Sequence, residues 1–161
     1  LAGESREVGR ALCCIAREVA RSGNPIKAPC ALIASGETHV RIAGQPLGIG
    51  GANQELAVGA CLDLAPTDPI AVCAIDTDGT DGPTDIAGAL TDGTTATRAD
   101  AVGVDLHSSL SSHDTSNVVL ATGDAVVTGH TGTNVNDLVV FVVLDEAQIG
   151  QSLFRDVRAR R

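Results

Sequence analysis

Two short segments hold most of the side chains in this sequence that could do chemistry. The first is Asp76-Thr77-Asp78-Gly79-Thr80-Asp81-Gly82-Pro83-Thr84-Asp85, directly after an apolar run at 70–75. The second is Thr128-Gly129-His130-Thr131-Gly132-Thr133-Asn134-Val135-Asn136-Asp137, between apolar runs at 125–127 and 138–144. Carboxylates as crowded as Asp76, Asp78, Asp81 and Asp85 repel one another unless a cation, an arginine or backbone N–H groups offset the charge. An EF-hand is excluded, because the twelfth position counted from Asp76 is Ala87 rather than glutamate. Octahedral Mg²⁺, which needs only one or two carboxylates beside waters and phosphate oxygens, suits the segment better. Spacing leaves the alternative open, that these residues simply make turns and cap the next helix. In the second segment, threonine hydroxyls, asparagine amides and glycine N–H groups are material for an anion-binding nest.

A third glycine-rich stretch, Gly48-x-Gly50-Gly51-x-Asn53, leads into a helix whose N-terminus would attract an anion. It matches neither the Walker A loop nor the dinucleotide fingerprint. Glu37 reads as a turn residue, and Glu55 as a carboxylate compensating the dipole in a first helical turn. Ser111, Ser112 and His113 make no nucleophilic triad, since nothing marks a nucleophile elbow.

These segments need a scaffold, and the periodicity supplies one. Residues 4–21 form an amphipathic helix with Val8, Leu12, Ile15 and Val19 on one face and Gly23 as a stop. Strands at 30–34 and 38–43 around Ser35-Gly36-Glu37 look like a hairpin. A helix is expected at 53–64, with Leu56, Ala60, Cys61 and Leu64 inward, and a buried strand at 70–75. Further strands are expected at 87–90 and 124–128, helices at 95–102 and 113–120, and a closing strand at 138–144. Interleaved strands and helices with one hairpin give an α/β sandwich on a mixed β-sheet.

At 161 residues the chain is one domain. A net charge of −9 and a single lysine, Lys27, argue against nucleic acid, which demands a basic surface. No apolar run approaches ~18 residues, so no membrane span is expected. The five cysteines sit inside apolar segments without a Cys-x-x-Cys spacing, which points to small buried hydrophobes in a reducing cytoplasm. The chain starts at Leu1 and soon opens into a helix, as a piece of a longer protein would. The polar tail at 148–161 reads as a frayed helix or disorder.

Taken together, Gly3-Glu4-Ser5-Arg6-Glu7, Ser35-Gly36-Glu37-Thr38, Gly50-Gly51-Ala52-Asn53-Gln54-Glu55, Thr77 to Gly88 and Gly129 to Leu138 resemble the C-terminal, or MOFRL, domain of the glycerate 2-kinase/hydroxypyruvate reductase family. The resemblance implies a three-layer α/β sandwich, the C-terminal domain of a two-domain kinase. It covers residues 1–147, with 1–23 a junction helix from a Rossmann-like N-terminal domain that brings a catalytic lysine. It further implies ATP-dependent phosphorylation of D-glycerate to 2-phosphoglycerate with Mg²⁺, in a cleft between domains, so that this piece alone would be inactive. On that reading Asp78 and Asp81 hold Mg²⁺ or orient the attacking hydroxyl, and Thr131, Thr133, Asn134 and Asp137 hold substrate or phosphate. Glu37, Asn53 and Gln54 would line the cleft. The family's Gly-Gly-Arg-Asn-Gln has Ala52 in place of its arginine here, which removes a bidentate, permanently charged contact. Two alternatives stand beside this reading: a hydroxypyruvate reductase, and a non-catalytic module that binds a small acid or nucleotide. A homo-oligomer is compatible with either.

Overall fold

The structure is a computed structural model that describes residues 1–44 and 48–145. Five strands form one sheet in the order β1-β5-β2-β3-β4. They are β1 (Cys30–Gly36), β2 (Ile70–Asp76), β3 (Gly88–Asp92), β4 (Ala125–Val126) and β5 (Asp137–Val143). Every pairing between these strands is antiparallel. The parallel component is an isolated bridge between Glu4 and His39. The final strand does not close the sheet at an edge. It enters between β1 and β2, with Phe141 opposite both Leu32 and Val72.

The expected hairpin does not form. Residues 38–43 are not a strand, and β1 pairs with β5 instead. The N-terminal segment takes the backbone groups that a hairpin would have used. Glu37 N–H donates to the Leu1 carbonyl at 3.1 Å, His39 N–H to Gly3 at 3.0 Å, and Ser5 N–H back to His39 at 2.9 Å.

Alternation along β5 sorts the sheet into two faces. Val139, Phe141 and Val143 are buried with Ile70, Val72 and Ala74 of β2 against the helices. The other face carries the apolar row Ile33, Val140, Cys73 and Leu90 across four strands. There Ile33 is 70% exposed.

Helix α1 (Ser5–Ser22) ends at Gly23, which adopts φ 71° and returns its N–H to Val19. Its buried line is Ser5, Gly9, Cys13, Ala16 and Val19, a stripe rotated from the expected one and leaving Ile15 exposed. The reason is close helix packing. A Cβ at Gly9 would collide with the Leu56 carbonyl, and one at Gly59 would meet Arg6, so the backbones of α1 and α2 touch. Small residues win that face over large ones.

Helix α2 (Ala52–Cys61) is buried on all sides from Asn53 onward. Helices α3 (Thr95–Ala101), α4 (Leu106–Ser111) and α5 (Thr115–Thr122) complete the layer. Helix α4 escapes the periodicity reading because it is short and serine-rich; the Asp105 side chain caps it by accepting from Ser108 N–H at 2.6 Å. The polar tail expected at 148–161 lies outside the described residues. Among the described residues no helix is long and apolar enough to cross a membrane. Cys13 and Cys61 are buried, Cys14 is exposed, and all five cysteines are free.

Candidate functional site

Antiparallel pairing brings the loops together. The ends of β1 and β2 and the start of β5 lie at one end of the sheet, in the register Gly36–Asp137–Asp76. The N-terminus of α2 meets them there. A cavity of about 420 Å³ opens at this end, lined among others by Glu37, Ala52, Asn53, Asp76, Asp81 and Asp137.

Two buried aspartates hold its floor. Asp81 accepts from Asn53 N–H at 3.0 Å with Oδ1 and from Gln54 N–H at 2.8 Å with Oδ2. It thereby caps α2 from a distant loop, satisfying amides that a helix start leaves open. Burial pushes its carboxyl up to about 6, against the pull of those two amide donors. Gly51 makes the approach possible, since a Cβ there would run into the Asp81 carboxyl. Asp137 accepts from the Asn53 side-chain amide at 2.8 Å and from Thr38 N–H at 2.9 Å. One asparagine therefore ties both acids together.

The outer part is more open, with Asp78 and Thr80 half-buried and Thr131, Thr133 and Asn134 exposed. Asp78 Oδ1 accepts from Thr80 N–H at 2.9 Å and from its hydroxyl at 2.8 Å, while Asn134 Nδ2 donates to Oδ2 at 3.1 Å. The Thr80 amide comes first among the groups that hold the Asp78 carboxyl below the ordinary aspartate range. Thr131 donates its hydroxyl to the Thr77 carbonyl at 2.5 Å and its N–H to the Asp78 carbonyl at 3.1 Å. Thr133 N–H donates to the Thr131 hydroxyl at 3.4 Å. The two acid- and hydroxyl-rich segments are thus stitched to each other.

The expected residues divide into three groups. Glu37, Asn53, Asp81 and Asp137 line the cavity. Asp78, Thr131, Thr133 and Asn134 make the outer loop pair beside it. Gln54 does not line the cavity: it is fully buried, donating to Thr84 at 3.2 Å and accepting from Ser116 at 2.8 Å. Its two polar ends find partners away from the cavity. As for a metal, Asp81 spends both oxygens on α2, whereas Asp78 remains accessible.

Two residues of the cavity were not anticipated. Glu55 is buried, with Oε1 at 2.6 Å from His113 Nδ1 and Oε2 at 3.6 Å from Arg6 Nε. Burial raises its carboxyl; the hydrogen bond to His113 and the charge of Arg6 oppose that rise. The available signal was the only charge in Ala52–Cys61, which must find a partner if the helix is buried. Nothing local marked His113, 58 residues away in sequence. His113 sits at φ 58°, in the left-handed region where histidine is one of the more tolerant side chains.

Both the sequence and the fold match known proteins. A model of the MOFRL family matches residues 30–137. The chain belongs to that family. The D-glycerate 2-kinase of Thermotoga maritima is 45% identical over 141 residues, which cover 88% of this chain and 33% of that protein. The glycerate 2-kinase of Pyrococcus horikoshii is 41% identical over 143 residues, 89% of this chain and 32% of that protein. The crystal structure of Thermotoga maritima glycerate kinase superposes with a TM-score of 0.85 at 44% identity, covering 89% of this chain and 34% of that one. This MOFRL chain spans about a third of the length of these relatives.

Proposed function

We propose that this MOFRL chain is the C-terminal domain of a cytoplasmic, ATP-dependent glycerate 2-kinase that phosphorylates D-glycerate to 2-phosphoglycerate. It acts when joined to an N-terminal Rossmann-like domain and is inactive alone. The observation that carries this reading is the meeting of the two segments through Asp78 and Asn134, beside a cavity floored by Asp81 and Asp137. Phosphoryl transfer is mostly positioning and charge neutralisation, which suits loops of this kind.

Asp78 orients the attacking hydroxyl, and Thr131, Thr133 and Asn134 hold the phosphate or carboxylate of the substrate. Asp81 acts by fixing the N-terminus of α2, and with it Asn53; Asp137 supports the same asparagine. Among the described residues no group of three or more His, Cys, Asp or Glu could hold a metal. Asp78 offers a single carboxylate, which fits Mg²⁺ bound largely through waters and phosphate oxygens. Such an ion supplies charge neutralisation to the transferring phosphoryl group.

The test is transfer of labelled phosphate from ATP to D-glycerate by the chain expressed within its full coding sequence. Asp78→Ala is expected to lower turnover at least a hundredfold while leaving the fold intact, and unimpaired turnover would refute its role. A second reading, a non-catalytic module for a small acid or nucleotide, is favoured by one observation: Ala52, where the resemblance expects an arginine, lines the cavity. Glycerate binding without transfer by the full protein would establish it.

A further inference from the structure

The two edges of the sheet are built differently. At one edge β4 is only two residues long, which leaves little unpaired backbone. At the other edge β1 runs for seven residues, with no charged side chain and no proline to turn another strand away. Alternation along a strand decides which of its backbone groups are free. Ser35 and Glu37 turn theirs away from β5, toward Leu1. Ala31 and Ile33 share that direction, and among the described residues no hydrogen bond reaches their outer N–H and carbonyl groups.

Leu1 already pairs with this edge. Its nitrogen donates to the Ser35 carbonyl and its carbonyl accepts from Glu37 N–H, one partner on each side of Gly36. That is the bond pattern of parallel strands, with Leu1 opposite Gly36. The fit is close, since a Cβ on Gly36 would collide with the Leu1 backbone. Gly3 continues the same direction by accepting from His39 N–H at 3.0 Å. Traced backward from Leu1, this ladder runs along the free part of β1.

We propose that the free edge of β1 is the docking surface for the polypeptide that precedes Leu1 in the full protein, which adds a sixth strand parallel to β1. Leu1 sets the register. The residue two ahead of it lies opposite Ala34, donating to the Ile33 carbonyl and accepting from Ser35 N–H. The residue four ahead lies opposite Leu32, donating to the Ala31 carbonyl and accepting from Ile33 N–H. Leu32 packs against the core, so the residue beside it is apolar. Neither position is proline, which lacks the donor. The chain spans about a third of the relatives it matches, and they carry polypeptide enough for such a strand. The strand is the last segment of the N-terminal domain, so the two parts share one sheet instead of a tether. A second copy of this chain suits the edge less, because two-fold pairing of β1 with itself would be antiparallel, against the direction Leu1 imposes. The inference stands whatever reaction the cavity performs.

The experiment is residue-resolved hydrogen exchange on the 161-residue chain and on the full-length protein from the same coding sequence. The Ile33 and Ser35 amides are expected to exchange about a hundredfold or more slowly in the full protein than in the short chain. Leu32 and Ala34, which face β5 in both, are expected to change far less. Proline placed two and four residues ahead of Leu1 is expected to return Ile33 and Ser35 to fast exchange. Protection retained in that variant means that a docked domain merely covers the edge, and overturns the ladder. Equal exchange of the two amides in the short and full chains overturns it without any variant, as does a native proline at either position. A 161-residue chain that is dimeric in solution, with both amides already slow, assigns the edge to a second copy and overturns the proposal too.

Discussion

Asp78 and Asp81 are three residues apart in one loop, yet they belong to different electrostatic worlds. Asp81 is buried beneath α2, and burial raises its carboxyl to about 6. Asp78 lies half-buried in the outer loop pair, where the Thr80 and Asn134 donors hold its carboxyl below the ordinary range. The inner acids hold α2 and the sheet end together, while the outer one is available to a ligand. Identical side chains divide between architecture and chemistry according to what surrounds them.

The severest test of this contrast is Asp137→Ala. It strips an acceptor from Thr38 N–H and from the Asn53 amide, both buried. The expected loss is about 4 kcal/mol in urea denaturation, because unsatisfied buried donors keep their full desolvation cost. A loss below about 1 kcal/mol would mean that the floor carries little of the fold. Next comes Gly51→Ala, which drives a methyl group into the Asp81 carboxyl. Such crowding should cost about 2–3 kcal/mol by the same measurement.

The two aspartates should also differ in their titration. Asp81 is raised in the folded state, so between about pH 4 and pH 6 the folded chain holds a proton that the unfolded chain has released. Stability from this group therefore falls as pH rises through that window and is flat on either side. Carboxyl ¹³C shifts should place the Asp81 midpoint near 6, and Asp81→Asn should remove the matching slope in stability. The smallest stability effect in urea denaturation is expected for Asp78→Ala, which gives up only the loop's own bonds from Thr80 and Asn134. A large loss of stability there would erase the distinction between the two acids.

Much of the scaffold was legible in the sequence. The strand at Ile70–Asp76, the helix starting at Ala52 and the grouping of the acid and hydroxyl loops follow from local patterns of polarity and glycine. What escaped depends on distant partners. The segment at 38–43 alternates like a strand, yet the N-terminal residues claim its backbone. The stripe of α1 was misjudged because tight helix contact favours Gly9, Cys13 and Ala16 over bulkier neighbours. Gln54 turns away from the cavity that Asn53 lines, because successive residues of a helix face different directions. Glu55 and His113 meet across 58 residues, a distance over which periodicity carries no information.

The first residue has a practical consequence. Leu1 lies beside the end of β1, its backbone nitrogen on the Ser35 carbonyl at 2.5 Å and its own carbonyl accepting from Glu37. Any polypeptide fused ahead of Leu1 would emerge next to a wall of the cavity. The N-terminal domain proposed above would join at this point, so no long connector would be needed to bring it to the mouth of the cavity.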